Sequence, residues 1–268
     1  FSAPAVTRAA VESFQTGDAF SVWGWYDNQG AIGNPFSSET VTNNGSAWSY
    51  TGGLRYWVLD ATYDFYAVYP SSVKAECDEQ GHITVTDFDA SATGDDAVDL
   101  MTAKALDITY ATADDIQPVG LEFEHLLAKV NIMVESQGGT ANITSAKLSG
   151  IQTSGDYDSS ATTPWTLDAT THEFTASGTT ANQIASSLFG DLLLPPQQVG
   201  TFTFEITYSY GGSTPEIRSV SLPADVVTQW EAGKSYTYTL TLTSDYIIFG
   251  MPAVNEWGEA SGGIIIVD

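Results

Sequence analysis

Three histidines, one cysteine and 33 carboxylates are the residues whose types could carry chemistry in this chain of 268 residues. Nucleophilic hydrolysis needs Ser or Cys beside a base, and no G-x-S-x-G elbow occurs. His82, His125 and His172 are scattered among strand-like segments, which reads as surface or edge-strand placement rather than as a catalytic base. Cys77 lies between Glu76 and Asp78, neighbours that raise a thiol pKa instead of activating it. Gly233-Lys234-Ser235 resembles the tail of a phosphate-binding loop. Thr228 stands where that motif needs its first glycine, so the segment reads as a turn entering a strand.

Soft-ligand zinc sites need clustered Cys and His, which this sequence lacks. Calcium needs only converging oxygens, and Asp87, Asp89, Ser91, Asp95, Asp96 and Asp99 crowd one segment. Asp87, Asp89 and Asp95 are its calcium candidates. The required glycine is out of place, however, and Val98 sits where a bidentate Glu belongs. The segment reads as a solvated acidic loop, with no resident metal or cofactor. Two carboxylates distant in sequence can meet for glycoside hydrolysis, but nothing selects a pair among so many. The chain is expected not to be an enzyme.

The charge balance narrows the partners. Eight basic residues face 33 acidic ones, a formal net charge of −25. Nucleic acid needs a basic stripe to displace its counterions, so nucleic-acid binding is excluded. An anionic membrane surface is disfavoured for the same reason. One cysteine permits no internal disulfide, no run of apolar residues is long enough to span a bilayer, and the first residue is Phe1. The sequence is expected to be a mature or trimmed form of an exported precursor.

Strands must position whatever the chain presents. Phe202, Phe204, Ile206, Tyr208 and Tyr210 alternate with polar residues, as do Tyr236, Tyr238, Leu240 and Leu242, and each run marks a strand with one buried face. Gly211-Gly212 and then Arg218 to Leu222 supply a hairpin partner. Leu126, Ala128, Val130, Ile132 and Val134 form another one-sided strand. Phe20 to Tyr26, Tyr56 to Leu59, Tyr63 to Tyr69 and His82 to Phe88 read as more aromatic strands. Only Asp96 to Ala105 and Asn182 to Phe189 could hold short helices. The fold class is all-β. Ala113-Asp114-Asp115 and Pro118-Val119-Gly120 break the periodicity, which places a division near Leu121 and two units, 1–120 and 121–268.

Several segments, taken in order, resemble the fimbrillin family of Bacteroidetes surface proteins, the subunits of protease-assembled type V pili. They are Thr7-Arg8-Ala9, Phe14-Gln15-Thr16-Gly17-Asp18 and Tyr63-Asp64-Phe65-Tyr66-Ala67-Val68-Tyr69-Pro70. Asp99-Leu100-Met101 then leads to Leu121-Glu122-Phe123-Glu124-His125-Leu126-Leu127-Ala128-Lys129-Val130. Leu192 to Gln197, Trp230 to Tyr238 and Val254-Asn255-Glu256-Trp257 complete the series. The resemblance implies two transthyretin-like β-sandwich domains in tandem. It also implies export as a lipoprotein to the cell surface or outer membrane, with the lipidated cysteine upstream of Phe1. An arginine-specific protease would cut after Arg8, the first strand would leave, and a strand from another pilin subunit would fill the groove. A host or bacterial surface receptor would be the adhesive partner.

Elementary physics favours such a scheme, because a sandwich short of one strand exposes unpaired backbone and apolar pockets that one extended donor satisfies together. Gly262-Gly263 followed by Ile264, Ile265, Ile266 and Val267 is a joint plus a strongly strand-forming donor candidate. The same tail could instead pair within its own domain. The alternative function is a surface-anchored glycan-binding lipoprotein or pilus tip adhesin, which would group exposed aromatic residues on one face.

Overall fold

A computed structural model describes residues 13–200, 202–222, 224–257 and 260–261. Strands β1 (Ala19–Asn28), β2 (Ala31–Asn43), β3 (Trp48–Tyr50) and β4 (Thr62–Tyr69) begin a seven-stranded antiparallel sheet. The chain leaves that sheet for β5 (Ala75–Cys77) and β6 (Ile83–Asp89), then returns with β7 (Met101–Thr109) and β8 (Glu122–His125). The order across the sheet is the late strand Ala260–Ser261, then β8, β7, β4, β1, β2 and β3. One face buries Phe20, Phe65, Tyr69 and Phe123, and the other buries Trp23, Tyr66 and Val68 against Val85, Phe88 and Leu127.

Strands β9 (Ala128–Ser136) and β10 (Ala141–Ile151) open the second half. β9 pairs in parallel with Lys234–Leu242, and β10 pairs antiparallel with Thr203–Tyr210. The two sheets so built share one core that includes Val130, Ile132, Leu148, Phe204, Tyr238 and Leu240. Alternation drives this arrangement, since a strand with one apolar face must lay that face on another layer. β11 (Ser154–Asp158) and β12 (Trp165–Leu167) cross back to extend the sheet of β6 and β5. At that crossing a Cβ on Gly155 would meet the Thr166 carbonyl oxygen at 2.4 Å, so the close approach of β12 needs glycine. Around Leu121 the halves therefore interleave: β8 follows it yet pairs with β7, and β11 pairs with β6.

Both helical expectations are corrected. Asp96 to Ala105 is a single 3₁₀ turn, Gly94–Asp96, followed by β7, whose alanines fit beside large residues of β4 at the pair Ala105 and Phe65. Asn182 to Phe189 carries the short strand Ser186–Ser187 on the edge of β9, with Leu188 and Phe189 buried. Tertiary packing outweighs weak helical propensity in both. Tyr56 to Leu59, expected as a strand, is irregular. Trp57 there stands edge-on to Tyr63 at 4.5 Å and to Tyr110 at 4.8 Å, so its aromatic density marks a cover over the sheet.

The Trp230 indole N–H donates to Tyr238 Oη at 3.0 Å inside the second core, where neither residue is exposed. Burial raises the Tyr238 phenol to about 12, against the opposing pull of that hydrogen bond. Tyr238→Phe strands the indole N–H, and urea unfolding should report a loss of about 1–3 kcal/mol.

Candidate functional site

The chain crosses from the seven-stranded sheet to the sheet of β9 within two residues, Leu126 and Leu127, both buried. Three of their backbone groups find partners in three distant places. Leu126 N–H donates to Leu100 O at 2.9 Å, Trp165 Nε1 donates to Leu126 O at 3.2 Å, and Gly233 N–H donates to Leu127 O at 2.9 Å. A buried crossing needs such partners, because unpaired backbone in a core is costly. Gly233 holds a φ of +70°, the left-handed region that glycine adopts readily, and carries the chain into Lys234–Leu242.

Side chains close the same joint. His125 Nδ1 lies 3.0 Å from Asp99 Oδ1, and both side chains are essentially inaccessible to solvent. The Trp257 ring stacks on His125 with centroids 3.7 Å apart and planes 11° from parallel. Lys129 Nζ lies 5.8 Å from the Trp257 ring centroid and 3.4 Å from Asp191. Trp257 N–H donates to Gly233 O at 2.8 Å. Trp257 thus follows Ala253–Glu256, paired on Lys234–Leu242, and precedes Ala260–Ser261, paired on β8. The chain's late segment ties the two halves together and then lies on the edge of the first sheet.

The other singled-out residues fall elsewhere. Arg8 and the donor candidates Ile264, Ile265, Ile266 and Val267 lie outside the described residues. Asp87 pairs with Lys74 at 2.7 Å, which holds its carboxyl below the usual range, and its N–H donates to Asp156 at 2.9 Å. Asp89 accepts from Ser91 N–H at 2.8 Å, and Asp95 sits in the 3₁₀ turn. Among the described residues no group of three or more His, Cys, Asp or Glu could hold a metal ion. His82 is bonded to Asp78 at 2.9 Å, and His172 stands edge-on to Phe174. His125 corrects the expectation of surface or edge placement, because Asp99 and Trp257 enclose it. Gly233-Lys234-Ser235 is the turn into a strand that the sequence suggests. Four of the seven tryptophans are buried and the other three, Trp25, Trp57 and Trp165, are partly covered and packed against other aromatic rings.

The sequence motifs of this all-β chain serve its joint and its cores. A family model of fimbrillin-like proteins matches residues 7–257, and the chain belongs to that family. None of the curated proteins matches it. Among solved structures it is similar to a proposed cell adhesion protein of Bacteroides uniformis, at 19% identity and a TM-score of 0.60 over 95% of this chain and 96% of that one. A second proposed cell adhesion protein, from Bacteroides ovatus, gives 16% and 0.64 over 93% and 91%. A fimbrial protein of Bacteroides vulgatus gives 17% and 0.60 over 89% and 93%. At these identities the likeness is one of fold.

Trp257→Ala empties the joint of its largest side chain. It should cost about 3–5 kcal/mol in calorimetric or urea unfolding. The Cys77 thiol is pushed up to about 12, chiefly by burial and then by Asp78. The unfolded chain loses this proton at about 8.5, so above that pH it binds fewer protons than the folded chain. Stability therefore falls as pH rises from there towards the folded value, and Cys77→Ala should flatten that fall in unfolding curves measured across the window.

Proposed function

We propose that this chain is a subunit of a cell-surface pilus that serves adhesion and polymerises by exchange of a donor strand. The observation that carries the reading is the late strand Ala260–Ser261. It lies on the outer edge of the seven-stranded sheet, where among the described residues two pairs join it to β8, Ala260 with Phe123 and Ser261 with Glu122. Backbone groups at a sheet edge are a template on which one extended segment can replace another. The strongly strand-forming run Ile264 to Val267 follows it in the sequence after Gly262-Gly263.

In this reading the unit 1–120 accepts a strand after cleavage at Arg8, and the unit 121–268 carries the donor. Partners are other pilin subunits, an arginine-specific protease and a surface receptor. Location at the cell surface with a lipoprotein precursor agrees with family membership. Among the described residues no helix is long and apolar enough to cross a membrane.

Treatment with an arginine-specific protease should remove residues 1–8 and convert monomer to polymer, read by mass spectrometry and size-exclusion chromatography. Cleavage at Arg8 that leaves only monomer contradicts the processing step. A chain shortened by residues 262–268 should be cut normally yet stay monomeric. Undiminished polymer from that chain removes the tail as donor.

A further inference from the structure

A cleft of about 560 Å³ opens between the seven-stranded sheet and the sheet of β6 and β11. Its volume falls within the roughly 300–1,000 Å³ of small-molecule sites. Tyr66 and Tyr157 line it, together with Lys104 from β7 and Glu122 and Glu124 from β8. The register brings these groups onto one face, since Lys104 pairs with Tyr66 and Thr102 pairs with Glu124. The opposite rim is the turn that carries Gly81, with a φ of +80°. A Cβ there would meet the Tyr66 ring at 2.2 Å, so the turn and the ring are fitted to each other and the cleft wall is preformed.

The charges in this cleft are unusual for the molecule. Lys104 alone among the described basic residues has no ion-pair partner, in a chain where acids outnumber bases by 33 to eight. Glu122 and Glu124 are exposed, and neither side chain is hydrogen bonded or ion paired among the described residues. His82 commits Nδ1 to Asp78, which leaves Nε2 for the rim. The cleft therefore offers donors and charged acceptors side by side, backed by phenol rings.

An anionic ligand meets two carboxylates and the overall negative field, and a simple cation meets Lys104. A neutral molecule that donates and accepts at many points meets no such opposition, and hydroxyl groups do both. We propose that the cleft binds a neutral saccharide unit, with Lys104 donating to sugar oxygens and Glu122 and Glu124 accepting from sugar hydroxyls. Recognition then rests on hydrogen bonds at a cleft rather than on a tryptophan platform. The site needs neither processing at Arg8 nor polymerisation.

The test is an NMR titration of the full ¹⁵N-labelled chain with neutral hexose-ended and N-acetylhexosamine-ended disaccharides, and with glycine as a zwitterionic comparison. At about 10 mM, ten times the roughly 1 mM dissociation constant of a weak site, one of the disaccharides should shift the amides of Gly81, Lys104 and Glu124. Lys104→Ala and Glu124→Ala lie on exposed positions and should each weaken binding about tenfold, as loss of a charge-assisted hydrogen bond does, with an unchanged melting temperature. Amides that stay still with every disaccharide overturn the proposal. So do binding unchanged in both variants, or glycine that shifts the same amides as strongly as any sugar.

Discussion

Two buried residues, Leu126 and Leu127, carry the chain from one sheet to another, and the rest of the structure is arranged to satisfy them. A peptide that crosses between sheets leaves the hydrogen-bonding ladder, and inside a core no water replaces it. Leu100, Trp165 and Gly233 supply the partners from three separate stretches of sequence. The His125 and Asp99 pair is placed where the ladder ends, and Trp257 closes over it. Removing one member of such a buried pair leaves the other polar group without compensation, which typically costs more than an exposed pair is worth. The joint therefore couples the placement of β7, β9, the Lys234–Leu242 strand and the late chain in one cooperative unit.

Much of this was legible in the sequence, and for a physical reason. Alternating runs such as Phe202 to Tyr210 and Tyr236 to Leu242 face a core on one side only, so their period survives intact. β10 was not legible because a bulge between Ile143 and Ser145 shifts its phase: Ala141 and Ile143 point inwards before it, Ala146 and Leu148 after it. β2 was hidden by Gly33, Pro35 and a polar composition, because only Phe36 and Val41 along it are buried. The Asn34 side chain donates to Gly24 O and Phe36 O, mending the ladder where β2 departs from β1.

The joint was legible only in part. The segment from Leu121 to Val130 carries part of the family resemblance, and His125 within it reads as a surface or edge residue. Its partners Asp99 and Trp257 are 26 and 132 residues away in sequence, so nothing local announces the contact. Cys77 shows the same limit in another form. The acidic neighbours in sequence suggested a raised thiol, and the direction was right, but burial is the larger cause. A cause that depends on what folds over a residue cannot be read from its neighbours along the chain.

The features that stand out are cores made by one-sided strands, a buried joint tied from both halves, and a late strand on the edge of the first sheet. The net charge of −25 makes copies of the chain repel one another, most strongly at low ionic strength. Immunogold electron microscopy of the native cell surface, with antibody against the second sandwich, tests this account most directly. Gold particles along filaments, lost when the gene is deleted, are the predicted result. Label confined to the membrane of cells that still carry filaments would contradict it.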